Sequence, residues 1–393
     1  MNRPTIVLLS DYPSDHATFS GGIQTATAGL LEALRPYRHA FDFHLVSFSR
    51  AIANDVYESR DGFCFHFLGL AAWDWLPTRA PVRLLKVHRE LRRIRPSLVH
   101  CHANTIGCLA VIAGGYRRVL TVHGVGQDEA RLRTGRPVGS AAAIARLERM
   151  VHARFPAFIC ISAYAAGVVS GRGAATFTIP NAVESRFFEH QADMTAAQRV
   201  LYLGVLAPLK RPLDLLLAHA EVRQSLATVQ TAFCGQVEDA EYARSLRRLV
   251  VEQRIGGVQF LEVASRARVL ELLAQAAVLV LPSAQENAPM VVAEAMALGV
   301  PVVATAVGGI PGMITHGQTG FLFTPGDVGA LASHLRRLLT DSALRRRMGQ
   351  GARQRAQRTF APSVVGEATV AAYQELLGAP VSVHSRAPTA VHA

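Results

Sequence analysis

Residues 278–311 read VLVLPSAQENAPMVVAEAMALGVPVVATAVGGIP, and the interpretation of the whole chain turns on them. The run Val278 to Leu281 is too short for a helix and is closed by Pro282 and Ser283, so it predicts a buried parallel strand. A polar loop carrying Glu286 and Asn287 follows. Pro289 then stands where proline is welcome, in the first turn of a helix running to Leu298, and Gly299 ends it. Pro301 and Val302-Val303-Ala304 open the next strand. The result is a strand-loop-helix-strand unit of the kind that builds parallel sheets.

Apart from Glu294, every residue from Pro289 to Leu298 is apolar, so the helix has no solvent face and its single carboxylate needs partners. Glu286 lies in the loop at the carboxyl end of a strand, where open parallel sheets bind ligands, so both acids flank one crevice. The first-turn amides of Met290 and Val291 add the positive end of a helix dipole, which suits phosphate. A ligand with hydroxyls and phosphates fits this arrangement.

Composition bounds the reading. The 393 residues suffice for two domains, and half are hydrophobic. With 31 Gly, 19 Pro and apolar runs alternating with helical patterns, the composition is that of an α/β protein, not a fibrous or disordered one. No apolar run reaches membrane-spanning length, and Thr5 to Leu9, followed by Asp11 and Pro13, reads as a first strand and not as a signal-peptide core. The cytoplasm is the expected compartment. Five cysteines without a C-x-x-C pair suggest neither a disulfide framework nor a zinc site. The formal charge of +12, from 41 Lys plus Arg against 29 Asp plus Glu, favours anionic partners, although a general arginine bias accounts for it equally well.

The Glu286–Glu294 pair, separated by seven residues and followed by Ala295, Met296, Ala297, Gly299 and Pro301, resembles the signature of the retaining glycosyltransferases of family 4. That resemblance covers nearly the whole chain and is stronger in the carboxyl-terminal half. It implies an α/β protein of GT-B architecture, with two Rossmann-like domains facing each other across a cleft. The expected division is an acceptor-side domain at 1–183, a linker at 184–198, a nucleotide-sugar-binding domain at 199–361, a helix at 362–378 crossing back, and a flexible tail at 379–393. The linker rests on the loss of periodicity after the step Pro180-Asn181-Ala182-Val183, where Ala182 replaces the family's glycine.

The implied reaction moves a sugar from a nucleotide-sugar donor to the hydroxyl of a carbohydrate or glycolipid acceptor with retention, as in polysaccharide or glycoconjugate biosynthesis. Glu286, His123 and Lys210 are the expected catalytic residues. His123-Gly124 ends the strand Val119 to Val122, and family members carry a similar step near the donor sugar. Donor contacts are expected from Gly21 and Gly22 at the start of a helix, from Lys210 and Arg211, and from Asn287, Met290, Val291 and Glu294, the last on the ribose hydroxyls. Where the family usually shows Gly-Arg and then Lys-Gly, this chain keeps Lys210, has Val205 in place of the arginine and Arg211 in place of the glycine. Arg211 is therefore a candidate to restore the missing cation. No D-x-D occurs, so no metal and no cofactor besides the donor substrate is expected, and nucleic acid is not an expected partner.

Two further features stay open at this level. His100 and His102 alternate onto one face of the strand Leu98 to His102, which fits hydrogen-bonded core histidines better than a metal site lacking a third ligand. Arg79 to Arg95 holds seven Arg or Lys and one acid, Glu90, with an apolar stripe at helical spacing. Its basic residues are expected outward, either as a solvated face or as one meeting anionic lipid at the inner face of a membrane. The competing readings are a nucleotide-sugar epimerase of the same fold and a non-catalytic protein binding nucleotide or anionic membrane.

Overall fold

The structure, a computed structural model, describes residues 3–17, 19, 21–71, 80–102, 105–124, 146–171, 173–193, 199–262 and 265–378. The expected tail at 379–393, the linker residues 194–198 and Arg79 lie outside the described residues.

The described strands form two sheets. The first contains β1 (Thr5–Leu9), β2 (Asp42–Ser49), β3 (Val56–Arg60), β4 (Phe63–Gly69), β5 (Leu98–His102), β6 (Arg118–Val122), β7 (Ala157–Cys160) and β8 (Ala175–Thr178), in the order β3-β4-β2-β1-β5-β6-β7-β8. Only β3 runs antiparallel to its neighbour. The second contains β9 (Arg199–Leu203), β10 (Gln230–Cys234), β11 (Val258–Leu261), β12 (Val278–Leu281), β13 (Val302–Thr305) and β14 (Gly320–Phe323), all parallel in the order β11-β10-β9-β12-β13-β14. This is the doubly wound arrangement, with the reversal of strand order between β9 and β12.

The central strands of each sheet are buried on both faces, which is why they read as continuous apolar runs. Val278 and Val280 of β12 enter the core shared with the helices Pro212–Arg223 and Val328–Thr340, whereas Leu279 and Leu281 face the core of the helix Met290–Leu298. In β1, Ile6 and Leu8 alternate likewise with Val7 and Leu9. The closing helix Pro362–Leu377 packs on the first domain: Tyr373 Oη lies 2.6 Å from His100 Nδ1, and Arg117 Nη1 donates to Leu377 O at 2.9 Å.

Several elements differ from expectation. The edge strand β3, with its exposed charged residues, carries no buried alternation and is not predicted by the sequence pattern. A short helix, Ser185–Glu189, sits inside the expected linker because Phe187 buries itself there. The basic helix spans Ala80–Ile94, but its charges are not all outward. Arg83 is buried, Lys86 Nζ pairs with Asp55 and donates to Gly69 O at 2.6 Å, and Glu90 is buried against His66. Arg89, Arg92, Arg93 and Arg95 remain exposed, with Leu85 among them.

Candidate active site

The reversal of strand order places the loops after β9 and β12 side by side. The first of them closes with a single 3-10 turn, Pro208–Lys210, and Ala284 N donates to Leu209 O at 2.9 Å, tying the two loops together. Lys210 thus stands in the turn just before the helix Pro212–Arg223, not within it. Its Nζ donates to Glu286 Oε1 at 2.7 Å, and Ser283 Oγ donates to the same oxygen at 2.7 Å.

The Glu286 loop is clamped from below. Thr305 Oγ1 donates to Ser283 O at 2.6 Å. Gly308, at a φ of +53°, and Gly309 pack flat against it: a Cβ on Gly308 would stand 1.7 Å from Glu286 O and one on Gly309 2.0 Å from Asn287 O. Any larger residue at either position would push the loop out of place. The helix Met290–Leu298 then begins at Pro289, which supplies no side-chain cap, so the first-turn amides of Met290 and Val291 stand at the cavity wall with the positive end of the helix dipole.

Two adjoining cavities, of about 390 and about 310 Å³, share Gly22, Lys210, Glu286, Pro289 and Met290 in their walls. The first adds His123, Asn181 and Asn287; the second adds Gly21, Val205, Arg266, Val291 and Glu294. Nine of the ten sequence-derived candidates therefore line one cleft between the domains. Arg211 is the exception. It takes the left-handed conformation with φ of 50°, and its guanidinium turns back to Asp214 in a two-armed pair at 2.7 and 3.0 Å. Asp214 in turn accepts from Gly326 N at 3.1 Å, so Arg211 is held within the second domain and does not reach the cleft.

Asn287 also departs from a simple donor contact. Its Nδ2 donates to Val122 O at 3.2 Å and to His123 O at 3.0 Å, and its Oδ1 accepts from Ser162 Oγ. The side chain is thereby committed to joining the two domains. His123 lies beside His102, with Nε2 and Nδ1 2.8 Å apart, and the His100 and His102 rings are tilted by 38° with centroids 4.1 Å apart. Burial lowers the pKa of His123 to about 4 and that of His100 to about 3; His102 is also lowered by burial, with His100 and His123 adding to the effect. Neutral imidazoles follow, as expected for core histidines.

Glu294 is buried at the wall of the second cavity and meets a residue that sequence reasoning missed. Arg266, the first residue of the helix Arg266–Ala274, places Nη1 2.8 Å from Glu294 Oε1. The contact is close but poorly aligned, so Oε1 has no hydrogen bond. Burial raises the Glu294 pKa and Arg266 opposes the rise. In sequence, Arg266 looks like any arginine of a surface helix, and no spacing sets it apart. Among the described residues no group of three or more His, Cys, Asp or Glu is arranged to hold a metal, and no helix is long and apolar enough to cross a membrane.

The family described as "Glycosyltransferase Family 4" matches residues 20–187, and the family described as "Glycosyl transferases group 1" matches residues 185–355. The N-acetyl-alpha-D-glucosaminyl L-malate synthase of Bacillus anthracis is 30% identical over 193 residues, which are 47% of this chain and 49% of that protein. The chain thus spans about half the length of that relative. The glycogen synthase of Mycobacterium tuberculosis is 28% identical over 332 residues, 80% of this chain and 77% of its own length. Among solved structures, the sucrose-phosphate synthase of Thermosynechococcus elongatus superimposes with a TM-score of 0.81 at 19% identity, covering 96% of this chain and all of that one. HepE of Anabaena, in complex with UDP-glucose, gives 0.72 at 18% identity over 94% of this chain and 99% of its own. At these identities the structural likeness shows the fold.

Proposed function

The chain belongs to the group 1, family 4 glycosyltransferases of GT-B fold, and from that premise we propose that it transfers a sugar from a nucleoside-diphosphate donor to an acceptor hydroxyl with retention at the anomeric carbon. One observation carries this reading: Lys210 and Glu286 meet at the strand-order reversal of the second sheet, beside an uncapped helix amino end and opposite Gly21 and Gly22 of the first domain. A cation, a run of free amides and a glycine backbone around one cavity suit a diphosphate; the two carboxylates beyond them suit hydroxyls.

Lys210 and the Met290 and Val291 amides bind the diphosphate, and its charge is neutralised by them without a metal. Glu286 orients the donor sugar through its hydroxyls, His123 contacts the same sugar, and Glu294 accepts from the ribose. Gly21 and Gly22 let backbone cover the phosphates. Asn287 holds the first domain against the Glu286 loop, which aligns His123. In the reaction the bond between the anomeric carbon and the phosphate oxygen breaks while the acceptor oxygen bonds to that carbon on the same face. The acceptor proton passes to the departing phosphate, giving a glycoside and a nucleoside diphosphate. No enzyme carboxylate becomes bonded to the sugar. The HepE structure with UDP-glucose and the glycogen synthase relative favour a nucleotide-sugar donor and a carbohydrate acceptor. The exposed arginines of the helix Ala80–Ile94 make an anionic membrane surface a further partner.

A panel of UDP-, GDP- and ADP-sugars, offered with chelator present and followed by nucleoside-diphosphate release and NMR of the product, tests this. One donor class should be turned over, with the anomeric configuration of the donor kept. An inverted product, or activity that vanishes with chelator and returns with manganese, would overturn the corresponding part of the proposal.

A further inference from the structure

Arg266 joins three parts of the protein that the sequence keeps far apart. Its Nε and Nη2 donate to Glu184 Oε1 at 3.0 and 2.7 Å, its Nη1 stands 2.8 Å from Glu294 Oε1, and its Cζ lies 4.9 Å over the Phe187 ring. Glu184 begins the segment after the first domain, where Arg186 binds its other oxygen. The side chains of Arg266 and Glu294 are 10% and 3% exposed, so water contributes little to either charge. Two cations and two anions, Arg186, Glu184, Arg266 and Glu294, therefore form a balanced row ending at the cavity wall. Val205, Lys210 and Glu286 line the same cavity.

A carboxylate this deeply buried takes up a proton unless a cation faces it. A neutral carboxyl accepts from a hydroxyl more weakly than a carboxylate does and can turn its proton to compete. Packing on Phe187 and the two bonds to Glu184 fix the guanidinium in one place, with its charge 2.8 Å from the Glu294 carboxylate.

We propose that Arg266 is a positioning residue for donor binding, holding Glu294 ionised and aimed at the ribose diol of the nucleoside diphosphate, with Glu184 anchoring it to the segment that joins the domains. This rests on the ribose reading of Glu294, and the variants separate the two. The charges facing Glu294 are Arg266 from its own helix, and Glu184 and Arg186 from the joining segment. With the guanidinium removed, Glu184 adds repulsion to burial. The Glu294 carboxyl then titrates at a higher pH and is protonated below it.

The experiment measures by calorimetry the affinity for whichever of UDP, GDP and ADP the wild type binds most tightly, and for its 2′,3′-dideoxy counterpart, from about pH 6 to about pH 9. The ratio of wild-type to variant affinity cancels the titration of the ligand's own phosphate. For Arg266→Met that ratio is expected to be about tenfold or more at the low end and to shrink as pH rises, with the preference for the ribo over the dideoxy ligand reduced. Arg266→Lys, which keeps the charge and loses the two-armed grip, should give a ratio level with pH and a partly reduced ribo preference. It carries the comparison alone if the methionine variant melts early. A ratio independent of pH in Arg266→Met, or an undiminished ribo preference in either variant, overturns the proposal. If Glu294→Gln binds both ligands as wild type does, the ribose reading itself is wrong, and Arg266 falls with it.

Discussion

Lys210 and Glu286 are 76 residues apart in sequence, and the ammonium nitrogen of one donates to the carboxylate of the other at 2.7 Å. The pair sits between two strands whose crossover connections run in opposite directions, so each loop arrives from its own side. An ammonium has three donors, and one bond to Glu286 leaves two for a phosphate.

Lys210→Ala is accordingly expected to weaken donor affinity at least about tenfold, the scale of one charge-assisted hydrogen bond. Isothermal titration with the donor and with its nucleoside diphosphate measures this. Unchanged affinity and turnover would remove Lys210 from the site.

Val205 and Arg211 give opposite expectations. Because Arg211 is bound to Asp214 and turned from the cleft, Arg211→Ala should leave donor affinity within about twofold while lowering the melting temperature, since Asp214 loses its partner. Val205 lines the cavity it shares with Lys210 and Glu294, so Val205→Arg should tighten donor binding or leave it unchanged. A tenfold loss in Arg211→Ala, with the fold intact, would return that residue to the phosphate.

Asn287 makes a sharper test through substitution by a shape-matched acid. Its Nδ2 donates to two carbonyls of the first domain. Asn287→Asp puts an acceptor against acceptors, so it should destabilise more than Asn287→Ala, which costs about 1–3 kcal/mol for the groups left unpaired. Turnover should fall further than donor affinity in both, because it is the register of the two domains that changes. Thermal melts with steady-state kinetics decide it; an aspartate variant as stable as wild type would mean the clasp does not form.

The histidines set an acid limit on stability. His100 and His123 are held neutral by burial, with pKa values lowered to about 3 and about 4. The unfolded chain binds protons at these residues at about pH 6.5 and below, where the folded one does not, so the unfolded state gains as pH falls. Stability should be level above about pH 6.5 and decline progressively down to about pH 3, where His100 too becomes protonated in the folded chain. His123→Phe would lessen the decline, and denaturant melts across that range with an unaltered slope would contradict the burial argument.

The exposed arginines Arg89, Arg92 and Arg95 predict adsorption to vesicles containing anionic lipid at low salt and release at high salt. Replacing Arg89 and Arg92 by Ser should lessen adsorption, whereas replacing Lys86 should not, because its charge is spent on Asp55. Co-sedimentation measures both. Equal binding to neutral vesicles would sink the electrostatic reading.

The sequence by itself determined the local units. Continuous apolar runs such as Val278 to Leu281 mark strands buried on both faces, Pro289 and Gly299 bound one helix, and Ser162 caps another by accepting from Ala165 N. These follow from backbone preferences and burial over a few residues. Glu286 in the loop after one strand and Glu294 in the helix that follows were likewise expected on one crevice, because open parallel sheets bind ligands at the carboxyl ends of their strands. Only the tertiary structure decided which cations face them. Nothing local tells which acid Arg211 or Arg266 will meet, each standing at the start of a helix with charged neighbours. Asp214, one turn away, captures the first; Glu184 and Glu294, brought in by the joining segment and by an adjacent helix, capture the second. Long flexible side chains choose among partners by three-dimensional proximity, and that proximity is set by strand order, which no local pattern encodes.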